Sequence, residues 1–188
     1  MASSPATGGH NLFLALQPDA QLRTAIVALC AHLRETRAPG GRWLDPAHLH
    51  LTLHFLGHQR EPDAALLARV VAAAARVEGT PFELQLDRID CFSGHARVLW
   101  LGPSQPAAAL GQLHAALGHA LREADVALPA GPPWLPHVTL LRGLRTAWTG
   151  MRVPPLRWPV REFVLVDSCL QDPPVHRVLA RWPLAVGR

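Results

Sequence analysis

The sequence contains no lysine and no tyrosine, and its 188 residues include only three cysteines. Cys30, Cys91 and Cys169 are odd in number, widely spaced and without a CxxC pair. That pattern argues against a disulfide framework and a thiolate zinc site, and it leads us to expect a reducing, cytoplasmic setting. No stretch of about 20 apolar residues is present, so no membrane-spanning helix is expected. Residues 1–11 read as a loose leader, without the basic-then-apolar order of a secretion signal. Charged residues make up only 17% of the chain and hydrophobic ones 49%, too apolar for a disordered protein. The length suits one compact domain, or two small lobes sharing a core.

Because lysine is absent, all 18 basic residues are arginine; they face 14 acidic ones, for a formal net charge of +4, alongside 11 histidines. A guanidinium is a planar fork that matches phosphate oxygens in pairs, so the excess fits a phosphate or nucleic-acid partner. An Ala-, Pro- and Arg-rich composition also follows from GC-rich coding whatever the function. The count alone does not separate the two.

Hydrophobic periodicity sets out the elements. Residues 12–16 form a short apolar strand stopped by Pro18, and Asp19 caps a helix with Leu22, Ile26, Leu29 and Leu33 at helical spacing. From 48 to 56 the pattern alternates strictly: Leu49, Leu51, Leu53 and Phe55 on one face, His48, His50, Thr52 and His54 on the other. A second helix is expected over about 62–77. Strands over 82–92 and 97–101 turn at Ser93-Gly94, and a third helix covers roughly 107–125. A strand follows at 135–141, then a Pro-rich loop over 151–159, then strands over 163–169 and 178–184. Strand, helix, strand occurs twice, with Phe13 before His50 and Leu99 before His137 at nearly equal separations. The expected fold is therefore α+β and bilobal, a single domain over residues 1–188. Two pseudo-twofold-related antiparallel sheets carry helices outside and enclose a central cleft.

The chemistry lies in a repeated tripeptide, His50-Leu51-Thr52 and His137-Val138-Thr139. On a strand, residues i and i+2 share a face, so each copy presents an imidazole beside a hydroxyl. Brought together across a cleft, two imidazoles can divide the roles of general base and general acid. The hydroxyls can hydrogen-bond the oxygens of a transferring phosphoryl group. No carboxylate, thiol or metal is required.

These motifs, with Leu12-Phe13-Leu14-Ala15-Leu16, the segment from Leu49 to Gly57, Arg97-Val98-Leu99-Trp100-Leu101-Gly102, Pro136-His137-Val138-Thr139-Leu140 and the segment from Val178 to Leu184, resemble the 2H phosphoesterase superfamily. Within it, the chain resembles the bacterial and archaeal RNA 2′,3′-cyclic phosphodiesterases, also called 2′-5′ RNA ligases. The resemblance implies a metal-independent, cofactor-free enzyme that opens an RNA-terminal 2′,3′-cyclic phosphate to a 2′-phosphate. It also implies a reverse reaction in which an RNA 5′-hydroxyl forms a 2′-5′ linkage. His137 would be the base, His50 the acid, and Thr52 and Thr139 phosphate contacts. Arg142, five residues after the second histidine, would contact phosphate, and Phe55, five after the first, would stack on the terminal base. A monomer without membrane association is expected. Two alternatives remain open: a 2H phosphoesterase acting on a small cyclic-phosphate nucleotide, and a non-catalytic RNA-end-binding module.

An offset of five is odd, so an ideal strand turns Phe55 and Arg142 away from the histidine face unless a bulge redirects them. Phe55 fits the core equally well, in line with Leu51 and Leu53. His48 and His54 read as cleft-rim residues touching RNA, with a histidine-rich metal strand as the lesser alternative. Trp43 and Trp134, each shortly before a motif, are candidates for the cleft wall, whereas Trp100 and Trp182 read as core.

Overall fold

The computed structural model describes residues 9–61, 63–92, 97–105, 107–171 and 174–185. In chain order its elements are β1 (His10–Leu16), α1 (Ala20–Arg37), β2 (Arg42–Trp43), a 3-10 turn (Pro46–His48), β3 (Leu51–Gln59), α2 (Ala64–Ala74), β4 (Phe82–Phe92), β5 (Val98–Gly102), α3 (Ala108–Glu123), β6 (Val138–Arg142), β7 (Met151–Val160), β8 (Glu162–Cys169) and β9 (Val175–Pro183). The turn expected at Ser93-Gly94 lies outside the described residues. So do residues 1–8 of the expected leader. The rest of that leader is corrected, because His10 and Asn11 belong to β1. Their backbones pair with Gln59 and His58 on one side and with Cys169 and Ser168 on the other. His10 Nδ1 also lies 2.8 Å from Asp167 Oδ1.

Every strand pairing is antiparallel, in the order β7-β4-β5-β6-β3-β1-β8-β9, with β2 paired onto β6. The two expected sheets are thus the halves of one. Among the described residues β3 joins β6 at a single ladder pair, Leu51 with Val138. Beyond that pair β3 diverges from β6, and β2 takes the vacated place, Arg42 beside Arg142 and Trp43 beside Leu141. In each half a helix links two neighbouring strands: β1–α1–β3 in one, β5–α3–β6 in the other. The first half is completed by β8 and β9 from the far end of the chain.

Local chemistry sets the helices. Asp19 caps α1 as expected, its Oδ1 accepting from Leu22 N at 2.8 Å, and Arg34 and Arg37 sit in the last turn, where the helix dipole favours cations. Leu22, Ile26 and Leu33 are its buried positions; α3 buries Leu110, Leu113, Leu117 and Leu121. These join leucines from strands of both halves in one hydrophobic core. The helices cross between halves, α1 touching β7 and α3 touching β3. Phe13, Ala15, Val164 and Val166 form a smaller cluster apart from that core.

The Pro-rich stretch expected as a loop is the edge strand β7. Proline lacks an amide hydrogen, so it is favoured where one side of a strand needs no partner, and among the described residues β7 pairs with β4 alone. No described helix is long and apolar enough to cross a membrane.

Candidate active site

The joint between the halves also holds the candidate site. Leu51 and Val138 are fully buried, so alternation turns residues 50, 52, 137 and 139 to the opposite face. The antiparallel register about that pair aims position 50 towards 139 and position 52 towards 137. Each imidazole is thereby set towards the other motif's threonine. His50, Thr52 and His137 line one cavity of about 920 Å³, together with Phe55, Arg42 and Arg142. Thr139 is half-buried and pairs with Trp100 across the β5–β6 ladder, though it does not line the cavity wall.

The imidazoles are anchored alike. His50 Nδ1 lies 2.7 Å from the carbonyl of His48, and His137 Nδ1 lies 2.8 Å from the carbonyl of Leu135. A carbonyl only accepts, so each Nδ1 carries the hydrogen and each Nε2 is left to exchange a proton. The rings differ in their surroundings. His50 stacks on Phe13 at 4.6 Å, with His176 edge-on at 5.5 Å. His137 meets the edge of Phe92 at 4.8 Å and lies 6.2 Å from Trp100.

Burial disfavours the imidazolium and lowers His50 from 6.5 to about 4; the His48 carbonyl opposes this, and the charges of Arg142, His137 and His48 reinforce it. Burial also lowers His137, opposed by the Leu135 carbonyl and reinforced by Arg142. Both rings are therefore poised to be neutral in the free protein and to bind a proton when an anion arrives.

The parity problem is solved twice in the same way. Opposite β1, Ala15 pairs with Thr52 and Leu14 with His54, which leaves Leu53 as an extra residue. Opposite β5, Trp100 pairs with Thr139 and Leu99 with Leu141, which leaves Leu140 extra. Each bulge falls three residues after its histidine and reverses the alternation from there on. Phe55 and Arg142 therefore reach the cavity despite their odd offset. Phe55 is 43% exposed, and Leu56 takes the buried place, which settles the core alternative against it.

The same bulge corrects the expectation for His54. It is turned to α3, where its Nε2–H donates to the His114 carbonyl at 2.8 Å and its ring stacks on His114 at 4.2 Å. No alternating histidine strand for a metal survives, because His54 has left the face of His50. Trp43 is also corrected: it is half-buried against the core, with the Arg34 guanidinium 4.8 Å above its ring, away from the cavity. Trp134 and His48 do line the cavity.

Sequence reasoning missed His176, whose ring lies 4.2 Å from His48 and 5.8 Å from Phe13. No local signal marks it. Phe13, Phe92 and Trp100, which pack around the two imidazoles, were hidden among strand apolar residues. Arg42 was one arginine among many until β2 paired with β6.

A family model described as the 2′-5′ RNA ligase superfamily matches residues 18–169. Proteins named RNA 2′,3′-cyclic phosphodiesterase from Thermus thermophilus and Escherichia coli are each 34% identical to this chain over 185 residues. The alignments cover 93% of this chain and 90% and 97% of those proteins. The crystal structure of E. coli LigT in apo form superposes with a TM-score of 0.77 at 30% identity, covering 95% of this chain and 99% of that one. The chain belongs to the 2′-5′ RNA ligase superfamily.

Proposed function

We propose that this protein hydrolyses the 2′,3′-cyclic phosphate at an RNA end to a 2′-phosphate, with His50 and His137 as its acid–base pair. The observation that carries the reading is two imidazoles opening on one cavity, each held through Nδ1 by the carbonyl two residues upstream. The names of the relatives from T. thermophilus and E. coli support the substrate class.

In this reading the cyclic phosphate sits between the two motifs. His137 Nε2 takes a proton from the attacking water as its oxygen bonds to phosphorus, and the bond from phosphorus to O3′ breaks. His50 Nε2–H protonates the departing O3′. Thr52 and Thr139 hold non-bridging oxygens, Arg142 neutralises charge on the phosphoryl group, and Phe55 offers its exposed face to the terminal base. With an RNA 5′-hydroxyl in place of water as the nucleophile, the same departure of O3′ leaves a 2′-5′ linkage. His50 meets a condition here, since with a free-protein pKa of about 4 its Nε2 carries no proton to donate at neutrality. A phosphate anion against the ring stabilises the imidazolium and restores the proton. The expected setting is the cytoplasm, in keeping with three free thiols, and the expected state a monomer.

The test is incubation with a 2′,3′-cyclic-phosphate-ended RNA in EDTA. A 2′-phosphate product is expected. A 3′-phosphate would reverse the leaving group, and loss of activity in chelator would overturn the metal-independent mechanism. Turnover only on mononucleotides would favour the small-nucleotide alternative, and binding without turnover the inactive module.

A further inference from the structure

Strand β3 meets β6 at one ladder pair among the described residues, the two imidazoles flank it, and beyond it β6 pairs with β2 instead. One pair leaves β3 itself lightly held against β6 where the two motifs must share a phosphate, because β2 takes the rest of the β6 edge. We infer that Trp134 is the positioning residue that locks this joint. Its Nε1–H donates to the Thr52 carbonyl at 3.0 Å, tying the segment ahead of the second motif to the backbone of the first. The next residue, Leu135, supplies the carbonyl that holds His137 Nδ1. One side chain thus fixes β3 at its bulge and places the anchor of the opposite imidazole.

The indole is itself held. It stacks on His114 of α3 at 3.9 Å and 11°, and His114 stacks on His54 of β3 at 4.2 Å and 14°. His54 Nε2–H closes the unit on the His114 carbonyl. Three parallel rings therefore run between α3, β3 and the approach to β6, beside the one pair that β3 makes with β6 among the described residues. This explains what His54 does once the bulge has taken it out of the cavity. The inference rests on reading the cavity as the phosphodiester site, and it assigns Trp134 to geometry rather than to base stacking.

The experiment compares wild type, Trp134→Phe and a protein carrying benzothienylalanine at 134, which keeps the ring shape and loses only the N–H. Trp182→Phe, on β9 against Phe163, is the control. Expected is a fall in kcat of about tenfold or more, the scale of a misplaced catalytic group, with KM for cyclic-phosphate-ended RNA changed less than about twofold. In a His137→Ala background the same change at 134 should cost almost nothing further, because the geometry it protects is already useless. A raised KM with kcat intact would show that Trp134 touches the RNA instead. Equal losses in both backgrounds, or full activity of a folded benzothienylalanine protein, would also overturn the inference. Absence of wild-type turnover would refute the phosphodiesterase reading itself, a distinct result.

Discussion

Replacing His50 with Gln should make the protein resist mild acid. The unfolded chain takes a proton on this imidazole near 6.5, the native state only near 4. Between those values the unfolded state binds more protons, so stability falls as pH drops from about 6.5 to about 4 and the contribution is gone below that. At about 1.4 kcal/mol per pKa unit, the loss is about 3 kcal/mol. This is an upper figure, because the Nε2 edge opens on the cavity. Its cause is burial of the ring, packed against Phe13, reinforced by the charge of Arg142. Urea unfolding at pH 7, 6, 5 and 4 measures it, with wild type and His50→Gln compared at each pH. His114 and His176, also lowered to about 4, titrate in both proteins and largely cancel in the difference. The variant should lose about 3 kcal/mol less than wild type over this range. Parallel curves would refute the claim that the folded state keeps His50 neutral.

The remaining predictions concern turnover. His50→Ala or His137→Ala should each lower kcat by about 10² or more, and a near-full rate in either would end the acid–base assignment. Both imidazoles are lowered in the free protein, so the basic limb of kcat/KM should lie below 6.5. The limb of kcat should lie higher, since bound phosphate raises the pair; coincident limbs, measured with cyclic-phosphate-ended RNA, would contradict this. Arg142→Lys keeps the charge and loses the planar fork, so KM should rise about tenfold. An unchanged KM would show that the fork does not grip phosphate.

The two His-x-Thr tripeptides, the Asp19 cap and the duplicated strand–helix–strand order were readable in the chain because each depends on neighbours a few residues apart. Alternation carried His50 beside Thr52 and His137 beside Thr139 with no tertiary information. It failed at positions 53 and 140, since a bulge is created by the partner strand, and β1 and β5 supply the register that leaves Leu53 and Leu140 unpaired. Phe55 thus left the core, Arg142 reached the cavity and His54 was turned away. Likewise the prolines of β7 look like a loop until its position at the sheet edge removes the need for a second partner.

The chain by itself determined which side chains are the candidates for the chemistry and that they come in two copies, because residue type and local spacing are written in order. Only the tertiary structure decided where they meet. The pairing of Leu51 with Val138, residues far apart in sequence, and the bulges beside it arise from long-range strand register, which no local pattern encodes.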